Sequence, residues 1–301
     1  MRVWLDTDIG SDVDDALTLA YVLRHPALEL VGISTVFGDV ALRARITRAL
    51  LAHAGADGDI PLVTGLGAPL TPGRQGRMLG HEGRGLLADA APVMETATDP
   101  DADARIGALE AALADAHADV VLAIGPLTNL GALAARGVAL PRLAIMGGKI
   151  ADGMLPGMIP EIPEWNWYCD PVAVQHALAA PLPEPARVVP AEVTFRTELA
   201  EDDLARLATG DALAQALSVL CDEWLRAQRE LFRAPRPRVA LHDPLTAATL
   251  VEPALCPFEP RRIAVDGRGG SEVLEGPPNI AVATDVDNDA LRSHLLETWL
   301  G

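Results

Sequence analysis

Five aspartates lie within the first fifteen residues, in the segment DTDIGSDVDD at positions 6–15. An apolar, strand-like segment precedes this run, and an apolar, helix-like segment begins at Ala16. Carboxylates gathered at one strand-to-helix turn repel one another unless a cation lies between them. Oxygen ligands of this kind suit a hard divalent ion. The run therefore predicts a metal site at the end of the first strand.

The aspartate run has three other interpretations. Asp12 is also placed to cap the following helix, although a cap uses one acid and the run has five. An EF-hand is not matched, because Gly10 falls at position five of such a loop and no Glu stands at position twelve. The run partly resembles the opening of haloacid-dehalogenase-like phosphatases, with Asp6 as nucleophile and Lys149 as catalytic lysine. That alternative is weak, because the Thr or Val of the phosphatase motif is absent.

Two further motifs offer polar ligands at the ends of predicted elements. Ile124 ends a buried strand before a Gly-Pro pair, and its backbone carbonyl can ligate a hard cation without adding charge. A plain turn into the next helix is the alternative. Glu164 and Asn166 can present a carboxylate and an amide to sugar hydroxyls. Trp165 between them offers a flat apolar surface to a ring, unless it belongs to the core.

A histidine and an aspartate stand together in the segment His242-Asp243-Pro244. Asp243 either caps the helix that starts at Pro244 or brings a further carboxylate to the metal. In the second case His242 faces the ligand as an acid or a hydrogen-bond donor. Among the other six histidines, only His81, in the segment GHEG, falls in a predicted active-site loop. These residues are the candidates for contacts to an organic ligand.

Short β-like runs alternate with helix-like runs through the first half, which predicts an α/β fold with an open, mostly parallel sheet flanked by helices and a Rossmann-like core. The predicted strands are residues 3–7, 30–36, 120–124, 143–147 and 262–265. The predicted helices are residues 14–24, 41–54, 103–116, 127–136, 171–179, 199–207, 212–232, 244–251 and 287–300. Irregular segments at residues 64–85 and 149–167 would leave the carboxyl ends of strands, where ligands bind in such sheets. No clear linker divides the chain, so residues 1–301 are predicted to form one domain.

Composition narrows the class of ligand and the compartment. The 301-residue chain carries a formal net charge of −18, which argues against nucleic acid or anionic membrane as a partner. No apolar stretch reaches the length of about 18 residues that a membrane-spanning helix needs. The three cysteines are far apart and form no CxxC pair, which predicts a reduced, cytoplasmic protein.

Taken in order, these motifs resemble the inosine–uridine-preferring nucleoside hydrolase family. The residues that carry the resemblance are the run at 6–16, Gly38-Asp39, Gly80-His81-Glu82-Gly83, Gly125 to Asn129, Met146 to Gly148, Glu164 to Asn166 with Asp170-Pro171, and His242 to Pro244. The resemblance implies an open α/β sheet, a tightly held Ca²⁺ and hydrolysis of the N-glycosidic bond of ribonucleosides to ribose and free base. It also implies that the substrate is a ribonucleoside and that the chain forms a homodimer or a homotetramer.

The resemblance further implies roles for individual residues. The implied calcium ligands are Asp8, Asp15, the carbonyl of Ile124, and Asp243. Asp8 would also act as general base toward a water held by the metal, while the ribose becomes oxocarbenium-like. The groups implied to contact the substrate are Asp14, Asp39, His81, Glu164 and Asn166. His242 would protonate or hydrogen-bond the departing base.

Three positions depart from the common family pattern. The usual turn DxDxGxDD is lengthened here by Asp12-Val13, so that Asp12 could replace one of the paired acids. Asp39 stands where many members have Asn, and Met158 stands where an Asn often binds the ribose. These departures motivate a second hypothesis, a non-catalytic ribose- or nucleoside-binding protein that kept the calcium site.

Overall fold

The computed structural model describes residues 1–56, 58, 60–151, 153–155 and 161–301. Its centre is a nine-stranded sheet, beside which lies a pair of short strands. The strands are β1 (Arg2–Thr7), β2 (Glu29–Thr35), β3 (Leu62–Thr64), β4 (Gly76–Arg77), β5 (Glu95–Thr96), β6 (Val120–Ala123), β7 (Arg142–Met146), β8 (Ala186–Val189), β9 (Phe258–Val265), β10 (Ser271–Leu274) and β11 (Ile280–Ala283). The α-helices are α1 (Asp14–Arg24), α2 (Val40–His53), α3 (Ala102–Ala116), α4 (Thr128–Ala135), α5 (Trp165–Cys169), α6 (Pro171–Ala179), α7 (Ala191–Thr194), α8 (Glu201–Ala208), α9 (Ala212–Leu231), α10 (His242–Ala248) and α11 (Asn288–Leu300).

The order of strands across the large sheet is β10-β9-β11-β8-β7-β6-β1-β2-β3. The strands from β11 to β3 pair in parallel, and β9 and β10 pair antiparallel at one edge. β1 has β2 on one side and β6 on the other, so the strand order reverses direction between β1 and β6. Ligands of open α/β sheets bind outside the carboxyl ends of the strands at such a switch point. The residues that follow β1 and β6 are therefore expected to form the site.

β1 is buried on both faces, because helices cover the sheet on each side. Val3 and Leu5 pack in one apolar core, and Trp4 between them packs in the other, as the alternation of side chains along a strand requires. The Trp4 ring lies so close to β2 that a Cβ at Gly32 would be 2.2 Å from it. This packing holds β1 in place up to Thr7, where the aspartate run leaves the sheet.

The structure confirms the predicted class, a mostly parallel sheet flanked by helices. The four helices predicted in the first half match α1 to α4 within one residue at each end. The sequence did not predict β3 and β8, which are only three and four residues long. The irregular segment predicted at residues 149–167 ends in the short helix α5. Across the described part of the chain, no helix has the length and apolar character needed to cross a bilayer.

Helix α11 packs against α1, which begins in the aspartate run. The Trp299 indole Nε1 donates to the carbonyl of Leu17 over 3.0 Å, and the Trp299 side chain is fully buried. The Tyr21 hydroxyl on α1 lies 2.6 Å from Nε2 of His294 on α11. The helix that carries two of the candidate carboxylates is therefore held by a residue 282 positions further along the chain.

Candidate active site

The aspartate turn connects the end of β1 at Thr7 to the start of α1 at Asp14. Carboxylate oxygens of Asp14, Asp15 and Asp243 all lie within 4.8 Å of one another, and the three side chains are buried. Asp243 reaches this group from the first turn of α10. Asp8 lines the same cleft but lies outside this closest group of three. The structure thus brings together four carboxylates that the sequence predicts at the site.

The negative charges of these four carboxylates repel one another unless a cation is bound between them. Burial raises the pKa of each of them, and neighbouring carboxylates raise the pKa further. A buried negative charge is stable only when it is paired or coordinates a metal. Every side-chain atom in the group that could bind a metal is a carboxylate oxygen, and such ligands suit a hard cation rather than a soft one. The residues present therefore fit a divalent cation such as Ca²⁺.

The turn after β6 approaches Asp8 closely. A Cβ at Gly125 would lie 2.7 Å from Asp8 Oδ1 and 2.9 Å from the Asp8 backbone nitrogen, so only glycine leaves this carboxylate where it is. Ile124, one residue earlier, lines the cleft, and its carbonyl accepts a hydrogen bond from Asn166 Nδ2 at 3.1 Å. A carbonyl oxygen has two lone pairs, so this hydrogen bond leaves one for a cation.

Asp6 and Asp12 have different environments. Asp6 is fully buried and accepts hydrogen bonds from Ser34 Oγ and, at 2.7 Å, from Asn129 Nδ2. Burial raises the pKa of Asp6 to about 6. Asp12 lines the cleft, accepts a hydrogen bond from the Val13 backbone at 2.5 Å, and has its pKa raised by burial to about 7. α1 has no side-chain cap, so the capping role considered for Asp12 is not observed.

Glu164 both caps α5 and lines the cleft. Its carboxylate accepts hydrogen bonds from the backbone of Gly148 at 2.8 Å, Asn166 at 2.8 Å and Trp167 at 3.0 Å. Burial nevertheless raises the pKa of Glu164. Trp165 lines the same cleft with 37 % of its surface exposed, so it is not a core residue. The three backbone hydrogen bonds hold the Glu164 carboxylate in one orientation, as contact to a sugar requires.

His242 lines the cleft at the start of α10. Its Nδ1 lies 2.7 Å from Thr194 Oγ1, and its ring packs against Phe195 with the centroids 4.9 Å apart. Burial, with a smaller effect from Arg238, lowers the pKa of His242 to about 3. The ring is therefore neutral near pH 7, so it can form a hydrogen bond but does not carry the extra proton of a general acid. Of the two roles expected for His242, the structure favours hydrogen bonding.

A cleft of about 290 Å³ connects these groups. Its lining includes four aromatic side chains in addition to His242, which are Trp165, Phe195, Trp224 and Phe232. Trp224 and Phe232, from α9 and its C-terminal end, meet edge to face with their centroids 6.1 Å apart. Flat apolar surfaces of this kind stack on a planar heterocycle, while the carboxylates suit polar hydroxyls. The cleft thus combines the two kinds of surface that a nucleoside presents.

Two residues predicted to contact the substrate do not line this cleft among the described residues. The Asp39 carboxylate caps α2 and accepts hydrogen bonds from two backbone N–H groups, at 3.0 Å and 2.9 Å. The His81 ring stacks on Trp224, with the centroids 5.8 Å apart, and lines a separate small cavity. Their direct contact with a ligand is therefore not supported. Met158, which stands where an Asn of the family often binds the ribose, lies outside the described residues.

Asp170 has a structural function in the motif that contains it. It is fully buried and accepts hydrogen bonds from the Leu70 backbone at 2.7 Å and the Thr128 hydroxyl at 2.8 Å. It also accepts hydrogen bonds from the backbone and the hydroxyl of Thr71, at 3.0 Å and 2.7 Å. The carboxylate therefore joins a loop near residue 70 to the start of α4.

The sequence did not predict two residues that bond to site residues without lining the cleft themselves. Thr194, on α7, is the hydrogen-bonding neighbour of His242. Arg43, on α2, is fully buried and donates to the backbone carbonyls of Asp8 and Ile9. No motif marks either residue, because each acts through atoms of distant segments that only the fold brings near.

Comparison with known proteins defines the class. The family described as inosine-uridine preferring nucleoside hydrolase matches residues 3–293 of this chain. The non-specific ribonucleoside hydrolase RihC of Klebsiella pneumoniae subsp. pneumoniae is 30% identical over 302 residues, covering 95% of this chain and 94% of the relative. A solved purine-preferring ribonucleoside hydrolase from Gardnerella vaginalis has a TM-score of 0.79 at 23% identity, covering 100% of this chain and 98% of that one. The plant nucleoside hydrolase PpNRh1 has a TM-score of 0.78 at 23% identity, covering 100% and 99%.

The fold and the family match together define a hydrolase of N-glycosyl compounds. The chain belongs to the inosine-uridine preferring nucleoside hydrolase family. The prediction made from the ordered motifs is thereby confirmed, and so is the prediction of an enzyme. The family is metal-dependent, and Asp14, Asp15 and Asp243 provide an acidic cluster for a metal. The hypothesis of a non-catalytic binding protein is not favoured.

Proposed function

We propose that this protein hydrolyses the N-glycosidic bond of ribonucleosides in a Ca²⁺-dependent reaction that gives ribose and free base. The observation that carries the proposal is the convergence of Asp14, Asp15 and Asp243 within 4.8 Å, in a cleft with aromatic walls. Asp8, Asp15, Asp243 and the carbonyl of Ile124 are the proposed ligands. A bound Ca²⁺ would lower the pKa of a water and gather the ribose hydroxyls.

Asp8 is the proposed general base. Its side chain is buried in the cleft, and burial raises its pKa, which favours a carboxylate that must accept a proton. The close approach of Gly125 limits where the Asp8 carboxylate can lie. By accepting the proton of the attacking water, Asp8 would allow the oxygen to bond to the anomeric carbon as the base departs.

Asp14, Glu164 and Asn166 are the proposed sugar contacts. Positive charge develops on the ribose as its bond to the base breaks, and fixed carboxylates near the ring stabilise that charge. His242 would hydrogen-bond the departing base in its neutral form, since burial keeps its pKa low. Trp224 would provide a flat surface for the base.

The test is a panel of ribonucleosides, including inosine and uridine, incubated with Ca²⁺-loaded protein in phosphate-free buffer. Release of free base is measured by HPLC. We expect release to stop on chelation and return with Ca²⁺, and 2′-deoxynucleosides to react slowly because they lack the diol. Tight binding of inosine in calorimetry with no release from any ribonucleoside would support the binding-protein hypothesis instead.

Two variants test the role of Asp8. Asp8→Asn keeps an oxygen ligand but removes the base, so kcat is expected to fall by about 10²-fold or more. Cation affinity, measured by calorimetry, should change much less than kcat. Asp119→Asn is the matched control, because Asp119 precedes β6 and binds the Arg2 backbone at the opposite end of the sheet. An Asp8→Asn protein with the kcat of Asp119→Asn would remove Asp8 from the chemistry.

The proposal also includes the assembly and the location predicted from the sequence. We propose a single domain over residues 1–301 that forms a homodimer or homotetramer in the cytoplasm. The three cysteines are buried and unpaired, as expected in a reducing compartment. Light scattering of the purified protein measures the assembly, and a monomeric mass at micromolar concentration would contradict this part of the proposal.

A further inference from the structure

Arg43, on α2, is a fully buried arginine beside the aspartate turn. Its Nη1 donates to the backbone carbonyls of Asp8 and, at 2.9 Å, of Ile9. Its Nη2 donates to Ser11 Oγ at 3.1 Å, and its Nε donates to the carbonyl of Phe37 at 2.6 Å. One side chain therefore contacts three residues of the aspartate turn and the loop that follows β2.

The two segments that Arg43 joins adopt conformations that need support. Phe37 has a φ of 63°, a left-handed conformation that is unfavourable for a bulky residue. Gly10 has a φ of 115°, and a Cβ there would lie 2.7 Å from the Ile46 side chain of α2. Such conformations persist only where the surroundings hold them. Arg43 is the side chain that bonds to both segments.

The contacts of Arg43 show that it holds the backbone of the aspartate turn and does not simply pair its charge with the Asp8 carboxylate. Nη2 of Arg43 lies 4.0 Å from Oδ2 of Asp8, which is too far for a direct hydrogen bond. The guanidinium N–H groups point instead at backbone carbonyls and one hydroxyl. Loss of these donors would leave buried carbonyls unpaired, at a cost in free energy for each. The positive charge is still close enough to offset part of the rise in pKa that burial causes at Asp8 and Asp15.

We infer that Arg43 is a positioning residue for the cation site, which holds the turn from Asp8 to Ser11 in the shape that directs its carboxylates to one cation. The inference rests on the proposed function, because it assumes that these carboxylates bind a cation. Arg43 itself lies behind the turn and does not line the cleft. A lysine is a poor substitute, since one ammonium group cannot reproduce a planar fork that bonds in several directions.

The test measures cation affinity of the whole protein, by calorimetry with Ca²⁺ and by tryptophan-sensitised luminescence of Tb³⁺. Arg43→Met removes the charge and the donors, whereas Arg43→Lys keeps the charge and loses the fork. We expect both variants to bind the cation about 10- to 100-fold more weakly, as is typical when a residue that orients metal ligands is lost. Arg45→Met is the matched control, because Arg45 lies on the same helix, is exposed and pairs with Asp89 at the surface. It should bind like the wild type.

Thermal unfolding with and without Ca²⁺ separates positioning from two other roles. Positioning predicts that Ca²⁺ raises Tm less in both Arg43 variants than in the wild type. A purely structural role would lower Tm equally in both conditions and leave the affinity unchanged. A role as counter-charge alone would give wild-type affinity in Arg43→Lys and tighter binding in Arg43→Met. Either of these two results would overturn the inference.

Ser11→Ala is the milder variant, in case the Arg43 variants do not fold. It removes one acceptor of the guanidinium, and we expect about threefold weaker cation binding from the loss of one hydrogen bond. Unchanged affinity in Ser11→Ala would also count against the inference. A wild-type protein that binds neither Ca²⁺ nor Tb³⁺ would refute the cation dependence of the proposed function as well. Cation binding that is equal in all variants would refute only the role of Arg43.

Discussion

The substitution Gly125→Ala tests how strictly the site depends on the position of the Asp8 carboxylate. The added Cβ would lie 2.7 Å from Asp8 Oδ1, 2.9 Å from the Asp8 nitrogen and 3.0 Å from Val36 Cγ1. Ordinary contacts begin at 3.4 Å, so the carboxylate must move by about 0.7 Å to relieve the closest contact. Gly125 is not among the glycines with positive φ, so alanine can adopt its backbone conformation. The effect should therefore come from displacement of Asp8.

A misplacement of about 1 Å in a catalytic group can cost about 10²-fold in rate. We therefore expect kcat/KM of Gly125→Ala to fall roughly 100-fold, which corresponds to about 2.7 kcal/mol of transition-state stabilisation. The assay is the initial rate of base release from inosine at saturating Ca²⁺. The control is Gly107→Ala in α3, where an added Cβ has no neighbour within 4 Å. That control should keep its kcat/KM and gain about 1 kcal/mol of stability, since alanine favours the helix.

The result that would refute this reasoning is a folded Gly125→Ala protein whose kcat/KM is within threefold of Gly107→Ala. Such a result would mean either that the turn after β6 moves instead of Asp8, or that Asp8 is not required at its present position. A crystal structure of Gly125→Ala separates these two cases. Cation affinity does not, because Asp8 and the Ile124 carbonyl are both proposed ligands and displacement of either would lower it.

Two hydrogen-bonded side chains and one pair of buried carboxylates lead to further predictions. Thr194→Val removes the hydroxyl 2.7 Å from His242 Nδ1 and should lower kcat/KM about tenfold, or about 1.4 kcal/mol, while Thr194→Ser keeps most of the activity. Asp170→Ala leaves five hydrogen-bond donors without this acceptor, two of them buried, and should lower the free energy of unfolding in urea by roughly 3–5 kcal/mol. In the metal-free protein, burial raises the pKa of Asp6 to about 6 and of Asp12 to about 7. The folded state then binds more protons than the unfolded state, so Tm should rise as the pH falls from about 8 to about 6.

Each of these expectations has a contrary outcome. Equal kinetics in Thr194→Val and Thr194→Ser would show that the hydroxyl does not act on His242. An Asp170→Ala protein as stable as the wild type would show that other groups satisfy the freed donors. A Tm of metal-free protein that falls with falling pH in that range would show that the folded state prefers ionised carboxylates even without a cation. Saturating Ca²⁺ should weaken the pH dependence, since the ion favours the ionised form.

The carboxylates of the site could be predicted because they follow one another in a short run or stand beside Pro at a helix start. Asp14 and Asp15 need only one turn to be adjacent, and Asp243 is fixed by the start of α10. Direct contact of Asp39 with a substrate stays a prediction, because the start of α2 uses the same carboxylate. Arg43 could not be predicted, since an arginine in a helix normally lies at the surface and its acceptors here are carbonyls of loops 6 to 35 residues away.

The fold was predictable for a related reason. β6 is apolar throughout and β1 contains the apolar run Val3-Trp4-Leu5, as buried parallel strands require. The prediction failed for β8, whose four residues carry an arginine and follow a proline-rich segment. That strand pairs with β7 and β11 and owes its conformation to those neighbours rather than to its own pattern.

The hydrogen bond from Trp299 to Leu17 has a consequence for synthesis on the ribosome. α1, with Asp14 and Asp15 in its first turn, emerges long before α10 and α11, and both of these helices pack against it. A nascent chain that lacks α10 and α11 must expose the part of α1 that they cover, so cation binding and catalysis should begin only after both helices have left the exit tunnel. During elongation, the exposed face of α1 would be a site for chaperone recognition, and a stalled chain would have no activity.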